Sequence, residues 1–336
     1  MLPTLTLDAG LAIRGAPLRP LRIARASRTG WRTAGLALLC AVLATAGAGA
    51  QELEPRAYAS APVGANFLVG LYSHSTGNVV FDPTLPVTDV HAVVQGLVFA
   101  AGHSFSMFGD QALVTATLPA AWAHVTGNVQ EQRAEVNRSG LADTRFKLSV
   151  NFRGNPAMSP REFASAPRRT IVGASVAVTA PSGQYYDTKL INLGTNRWSV
   201  KPEVGISVPK GHWYVDGYVG AYFYATNSDF YPDGRTRTQD PLLAIQLHGS
   251  YTFRPRLWLA VDGTWYHGGS AQVDAGPPST SMNNSRIGAT LSVPVAGRYS
   301  VKVAYANGVV ARTGTDFSTV AIAWQALWLS PRWAGR

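Results

Sequence analysis

Residues able to do chemistry are sparse in this chain. His248-Gly249-Ser250 puts an imidazole and a hydroxyl on one face of a strand, the first two members of a hydrolytic site. Hydrolysis also needs a group that orients the histidine and a site for the oxyanion. No Asn or acid can be assigned beside His248 from sequence, so the chain reads as a non-enzyme, with a hydrolase as the alternative. The other histidines lack zinc spacing, and the glycines build no phosphate loop. Asp82, Asp89, Asp229 and Asp233 are loop carboxylates without the dense oxygen pattern of a calcium loop. No metal and no cofactor is expected.

Two series of side chains say more. Tyr214, Tyr218, Tyr222 and Tyr224 share one face with Asp216 and Gly220, opposite Trp213, Val215, Val219, Ala221 and Phe223. A tyrosine stripe stacks aromatic rings and offers hydroxyls to polar substituents, or simply packs a narrow interior. The second series is Arg145, Lys147, Arg197, Lys201, Arg286 and Lys302 against Glu203, Asp216 and Asp262. Lining a pore, these charges favour anions such as aromatic carboxylates. As a mutually neutralised ladder they pack and hydrate a lumen, which is the plainer expectation because enclosed charges need partners.

The element that positions both series is an alternating strand. From Arg197 to Val208, Arg197, Ser199, Lys201, Glu203, Gly205 and Ser207 point one way and Trp198, Val200, Pro202, Val204, Ile206 and Val208 the other. The spacing predicts twelve such strands, near 63–73, 88–101, 111–124, 143–153, 169–180, 196–208, 212–226, 241–253, 256–267, 285–294, 298–309 and 316–328, within a range of 10–14. Strands of about ten residues are long enough to cross a membrane when tilted. Alternation alone does not say which face is inside, since a soluble sandwich buries the apolar face and a membrane barrel turns it outward.

The connections decide between them. Pro209–Gly211, Arg254–Pro255 and Val295–Gly297 are tight links, whereas Asn227–Asp240 and Gly268–Asn284 are long and polar. Short turns at one end and long loops at the other are the pattern of an outer-membrane barrel. An even strand number puts both termini at the periplasmic, short-turn end. Trp198, Trp213, Trp258, Trp265, Trp324 and Trp328 fall near strand ends, as interfacial girdles do. Two features fit less simply. Pro202 lacks a ladder donor and predicts a bulge or kink. The link Gly154–Arg168 is long for the short-turn side. Its Ser159-Pro160 with Glu162 reads as a helix start, inward plug or surface excursion.

Residues 1–50 read as an export signal. Six arginines lead into the apolar run Ala34 to Ala46, too short to span a bilayer, and Ala48-Gly49-Ala50 fits cleavage before Gln51. The single cysteine, Cys40, leaves with that segment. Six of the 29 basic and one of the 19 acidic residues lie there, which leaves 23 and 18 and a net charge of +5. The excess is scattered, so no nucleic-acid footprint is formed. Residues 51–336 read as a single all-β domain, an up-and-down transmembrane barrel.

The segments Leu53-Glu54-Pro55-Arg56-Ala57-Tyr58, Ala61-Pro62-Val63-Gly64, Val172-Gly173-Ala174-Ser175, Asn192-Leu193-Gly194-Thr195-Asn196-Arg197-Trp198, Ser250-Tyr251-Thr252-Phe253-Arg254-Pro255, Asn284-Ser285-Arg286-Ile287-Gly288 and Ala323-Trp324-Gln325 carry a resemblance. They are similar to the outer-membrane transporter family called "putative MetA-pathway of phenol degradation". The resemblance covers essentially all of 51–336 and implies a barrel that passes small, aromatic or apolar molecules by passive diffusion; a plugged structural or binding barrel without transport is the alternative. Outer-membrane lipid, a small-molecule solute and, during biogenesis, the barrel-assembly machinery are the partners this implies. Such barrels usually end on an aromatic residue, and here Trp328 or Trp333 takes that place. The His248-Ser250 pair resembles outer-membrane phospholipases only in these two residues.

Overall fold

The computed structural model describes residues 54–80, 87–129, 132–231, 233–310 and 314–330. The signal expected over 1–50, Asp82 and Trp333 lie outside the described residues.

Alternating segments become strands because each buries one face and hands its other face to a different solvent. They are β1 (Ala65–Val80), β2 (Val87–Met107), β3 (Asp110–Val129), β4 (Gln132–Leu141), β5 (Arg145–Pro156), β6 (Ile171–Thr179), β7 (Ser199–Lys210) and β8 (Trp213–Tyr224). There follow β9 (Asn227–Phe230), β10 (Arg235–Gln239), β11 (Leu242–Arg254), β12 (Leu257–Gly268), β13 (Ala271–Val273), β14 (Met282–Ala296), β15 (Tyr299–Val310) and β16 (Gly314–Leu329). Twelve of them, β1–β3, β5–β8, β11, β12 and β14–β16, pair antiparallel in chain order, and β16 returns to β1 to close the barrel. These are the twelve strands expected from the pattern.

The other four were not legible. β3 has 20 residues, about twice a membrane crossing. Its Asp110–Thr117 part pairs with β5 and its Ala120–Val129 part with β4, so a hairpin extends beyond the barrel on the long-loop side. β9, β10 and β13 form a small separate sheet built from the two long polar loops. Their few residues are too short and polar to show a period.

The apolar faces point outward. Val200, Val204, Ile206 and Val208 are exposed while Lys201, Glu203 and Ser207 on the same strand are buried. An apolar belt around a closed barrel with polar contents suits lipid and not water. Trp198, Trp213, Trp265, Trp324 and Trp328 stand on this outer face. Trp258 corrects the girdle expectation, since it is fully buried inside. It shares the phase of Asp262, and phase overrides nearness to a strand end.

The bulge or kink expected at Pro202 brings no shift of register. Val200 pairs Phe223 and Glu203 pairs Gly220 in unbroken register, with the intervening pairs absent from that ladder. The missing proline donor removes bonds without inserting a residue. The long link carries helix α1 (Pro160–Ser165), opened by Ser159 and Glu162 in a capping box. The hydroxyl and backbone N–H of Ser159 hold the Glu162 carboxyl below the ordinary carboxylate range. No residue of α1 is fully buried, though Phe163 packs against the inner apolar cluster and Asn155 of the link is buried beside Gln111.

Candidate functional site

The inner wall has two unlike sides. Phe67, Val69 and Leu71 of β1, Val98 and Ala100 of β2, and Ala321 and Ala323 of β16 form an apolar lining. Sequence reading missed it because β1 is apolar on both faces: Leu68 and Tyr72 are exposed outward between these residues. No polar face marked its inside. The opposite side, from β5 round to β15, carries the tyrosines and charges.

What occupies the space between is the segment from Glu54 to Ser60, which threads into the barrel as a strap. The Lys147 ammonium donates to Glu54 Oε2 at 2.6 Å and lies 3.8 Å from Glu203, and Lys201 donates to Glu203 at 2.8 Å. Two lysines and two glutamates therefore neutralise one another in a buried layer, one glutamate coming from the strap. The Arg56 guanidinium donates to Ser250 Oγ at 2.9 Å and Thr252 Oγ1 at 2.6 Å. It is sandwiched 4.7 Å from both the Tyr214 and Trp258 rings. Arg56 holds φ at 64°, a left-handed conformation costly for a residue other than glycine. Those contacts offset the strain.

Tyr58 fills a seat cut for it. Gly173 and Gly205 are register partners on β6 and β7. A Cβ at Gly173 would stand 2.5 Å from the Tyr58 ring, and one at Gly205 would stand 2.2 Å from it. The Tyr58 hydroxyl donates to Glu203 Oε1 at 3.1 Å and lies 3.2 Å from Ser175 Oγ. Tyr218 packs edge-on at 5.2 Å and its hydroxyl accepts from the Ala57 N–H at 2.9 Å. The motifs around Arg56, Tyr58, Gly173 and Ser175 are thus the two halves of one joint.

Above the strap, on the long-loop side, the chemistry changes. Arg197 lies 4.5 Å over Tyr224 and donates to Gln239, and Arg286 donates to the Phe317 carbonyl at 3.1 Å. Lys201 stands 5.1 Å over Tyr222. Arg145 and Tyr266 share the electrostatic surroundings of Tyr222 and Lys201. Arg197 Nη1, Arg286 Nε and the Tyr222 hydroxyl are buried without a hydrogen-bond partner among the described residues. Among the thirteen residues proposed from sequence, Lys147, Lys201 and Glu203 meet at the strap, Tyr214, Asp216 and Tyr218 lie around it, and Arg145, Arg197, Arg286, Tyr222 and Tyr224 gather above. Lys302 stands 5.4 Å over Trp258.

Asp262 accepts from Thr290 at 3.2 Å and pairs with His248 Nδ1 at 2.7 Å, so the acid that sequence did not assign exists. Ser250 is fully buried in the lumen under Arg56, away from the lipid face. No hydrogen bond joins His248 to Ser250 among the described residues, and no cluster of three metal-ligating side chains occurs among them.

A closed twelve-stranded barrel with a lipid-facing apolar belt and a charged interior is an outer-membrane β-barrel. The chain belongs to the family described as "Putative MetA-pathway of phenol degradation", whose model matches residues 63–326. Among solved structures it is similar to the COG4313 outer membrane channel from Pseudomonas putida F1, at 22% identity and a TM-score of 0.72, covering 82% of this chain and 100% of that one. Fainter likenesses are to the transport unit of the autotransporter AIDA-I from Escherichia coli (9% identity, TM-score 0.47, 79% and 90% covered) and the CymD monoaromatic hydrocarbon channel (11%, 0.37, 80% and 87%). No curated protein matches the chain.

Proposed function

We propose that this barrel is a passive outer-membrane channel for small molecules that combine an apolar, preferably aromatic, body with a polar or anionic group. The observation that carries the reading is the two-sided lumen: an apolar lining on β16, β1 and β2 faces tyrosines and cations on the other side. A solute with one greasy and one polar edge loses less hydration there than in a uniformly polar pore. Twelve strands lie between the size that side chains fill and the size that holds an open channel, so the lining and the strap govern passage. The thirteen inner-wall residues are the proposed solute contacts, and catalysis has no role. Residues 1–50 act as a cleaved export signal, with lipid and the assembly machinery as partners of the 51–336 domain.

The test is flux through reconstituted protein. Planar-bilayer conductance together with uptake of a small aromatic solute by proteoliposomes supports the reading; neither conductance nor flux overturns it. The strap favours a second reading, a plugged binding barrel. In that case solute binding persists without flux in any strap variant.

A further inference from the structure

A cavity of about 240 Å³ opens at the short-turn mouth, between the strap, the link that carries α1, and the ends of β8 and β11. Arg56, Arg168, Arg169 and Arg256 all line it, and no carboxylate does. We propose that this cavity is a binding site for a small organic anion with an apolar body, a single-ring aromatic carboxylate being the best fit. It deepens the channel reading by naming a solute class at the periplasmic exit.

Charge, aromaticity and size agree. Three of the four guanidiniums are aimed by other contacts: Arg56 by Ser250 and Thr252, Arg168 by the Gly211 carbonyl at 3.2 Å, and Arg256 by the carbonyls of Gly297 and Tyr299. A guanidinium has five N–H donors, so one held by a carbonyl keeps others for a carboxylate. Arg169 makes no hydrogen bond or ion pair among the described residues and is exposed at the rim. Asp216 acts electrostatically on Arg56 from deeper in the lumen but does not line the cavity. Tyr214 presents a ring held between Arg56 at 4.7 Å and Arg168 at 5.6 Å. Met158, Phe163 and Ile171 supply an apolar floor. The volume falls just under the range of about 300–1,000 Å³ for drug-sized ligands, which suits one ring and not a large molecule. Neutralising the buried Arg56 and the half-buried Arg256, with Arg168 and Arg169 exposed at the rim, also gives the occupant a reason to stay where a neutral ring has none.

The test is an equilibrium titration of the full mature barrel in detergent, followed by fluorine NMR. The probes are 4-fluorobenzoate, its neutral counterpart 4-fluorobenzyl alcohol, and fluoroacetate, an anion without a ring. Saturable binding of the benzoate, about tenfold tighter than either other probe, is expected, and R168Q/R169Q weakens it by about tenfold. R168K/R169K, which keeps the charge, weakens it less, and heat-modified gel mobility checks that each variant is folded. Equal binding of the alcohol or the fluoroacetate overturns the proposal. So does a benzoate affinity that R197Q/R286Q abolishes and R168Q/R169Q leaves unchanged. The measurement needs no conduction, so a silent channel with intact benzoate binding fails the channel reading alone.

Discussion

Glu54→Gln should loosen the strap. In the buried layer Glu54 faces Lys147 at 2.6 Å, while Glu203 reaches Lys147 at 3.8 Å and Lys201 at 2.8 Å. Removing one partner of a buried ion pair costs about 3–5 kcal/mol when the other is left alone. Lys147 keeps Glu203, so the expected cost is about 2–3 kcal/mol, a shift of roughly 30- to 150-fold toward the withdrawn strap. The perturbation also changes the lumen. With the strap in place two lysines balance two glutamates; with it withdrawn the layer keeps two lysines and one glutamate. Arg56 leaves with the strap too, so the total charge of the lumen is unchanged, but the layer around Lys147 and Lys201 gains a positive charge and attracts anions there more strongly. Two assays read this. Single-channel recording in a salt gradient should give longer or larger openings with a reversal potential displaced toward the anion value. An Ala57→Cys background, in a mature barrel free of other cysteine once residues 1–50 are removed, should react with a charged thiol reagent faster by a comparable factor. If Glu54→Gln leaves both the thiol rate and the recordings as in the parent, the electrostatic latch has no role in holding the strap.

Gly205→Ala should open the channel by a different route, because its Cβ would stand 2.2 Å from the Tyr58 ring and expel it; recordings matching Glu54→Gln are expected, and unaltered recordings count against the seat. Arg197→Gln removes a cation from above the strap, where Arg197 Nη1 has no partner, so the reversal potential in a salt gradient should move toward the cation value while the fold, checked by gel mobility, is kept. The Glu162 carboxyl is held below its ordinary range, so the cap of α1 is stabilised above pH 4.5 and loses that support as pH falls through the lowered value. Hydrogen exchange at Phe163 and Ala164 should quicken under acid in the parent and already be quick near neutral pH in Ser159→Ala. Purified protein should hydrolyse no phospholipid, with His248→Ala indistinguishable from the parent; hydrolysis abolished by that change would restore the enzyme reading.

Period two on most strands, with apolar runs and turn lengths, was enough to place the twelve barrel strands and, where one face is polar, to say which face meets lipid. The reason is local: a strand between two solvents must alternate, and neighbours in sequence are neighbours in the wall. For the same reason Lys147, Lys201, Glu203 and the tyrosines of β8 could be set on the inner face by residue number alone. The strap was not legible. Glu54, Arg56 and Tyr58 alternate with Pro55 and Ala57, but a run this short beside a proline does not read as a strand, and their hydrogen-bond partners lie 93 to 196 residues away in sequence. The Gly173–Gly205 seat looks like two ordinary strand glycines until the register sets them side by side. The apolar lining of β1 was hidden because both its faces are apolar, so only closure of β1 against β16 decides which residues face inward. Likewise the pairing of Asp262 with His248 follows from the β11–β12 register, and Trp258 turned out to stack on Arg56 instead of meeting lipid. Sequence determined the wall, because alternation is a local answer to two solvents. Tertiary structure decided what the wall encloses, because a lumen is filled by residues that meet only after the barrel has closed.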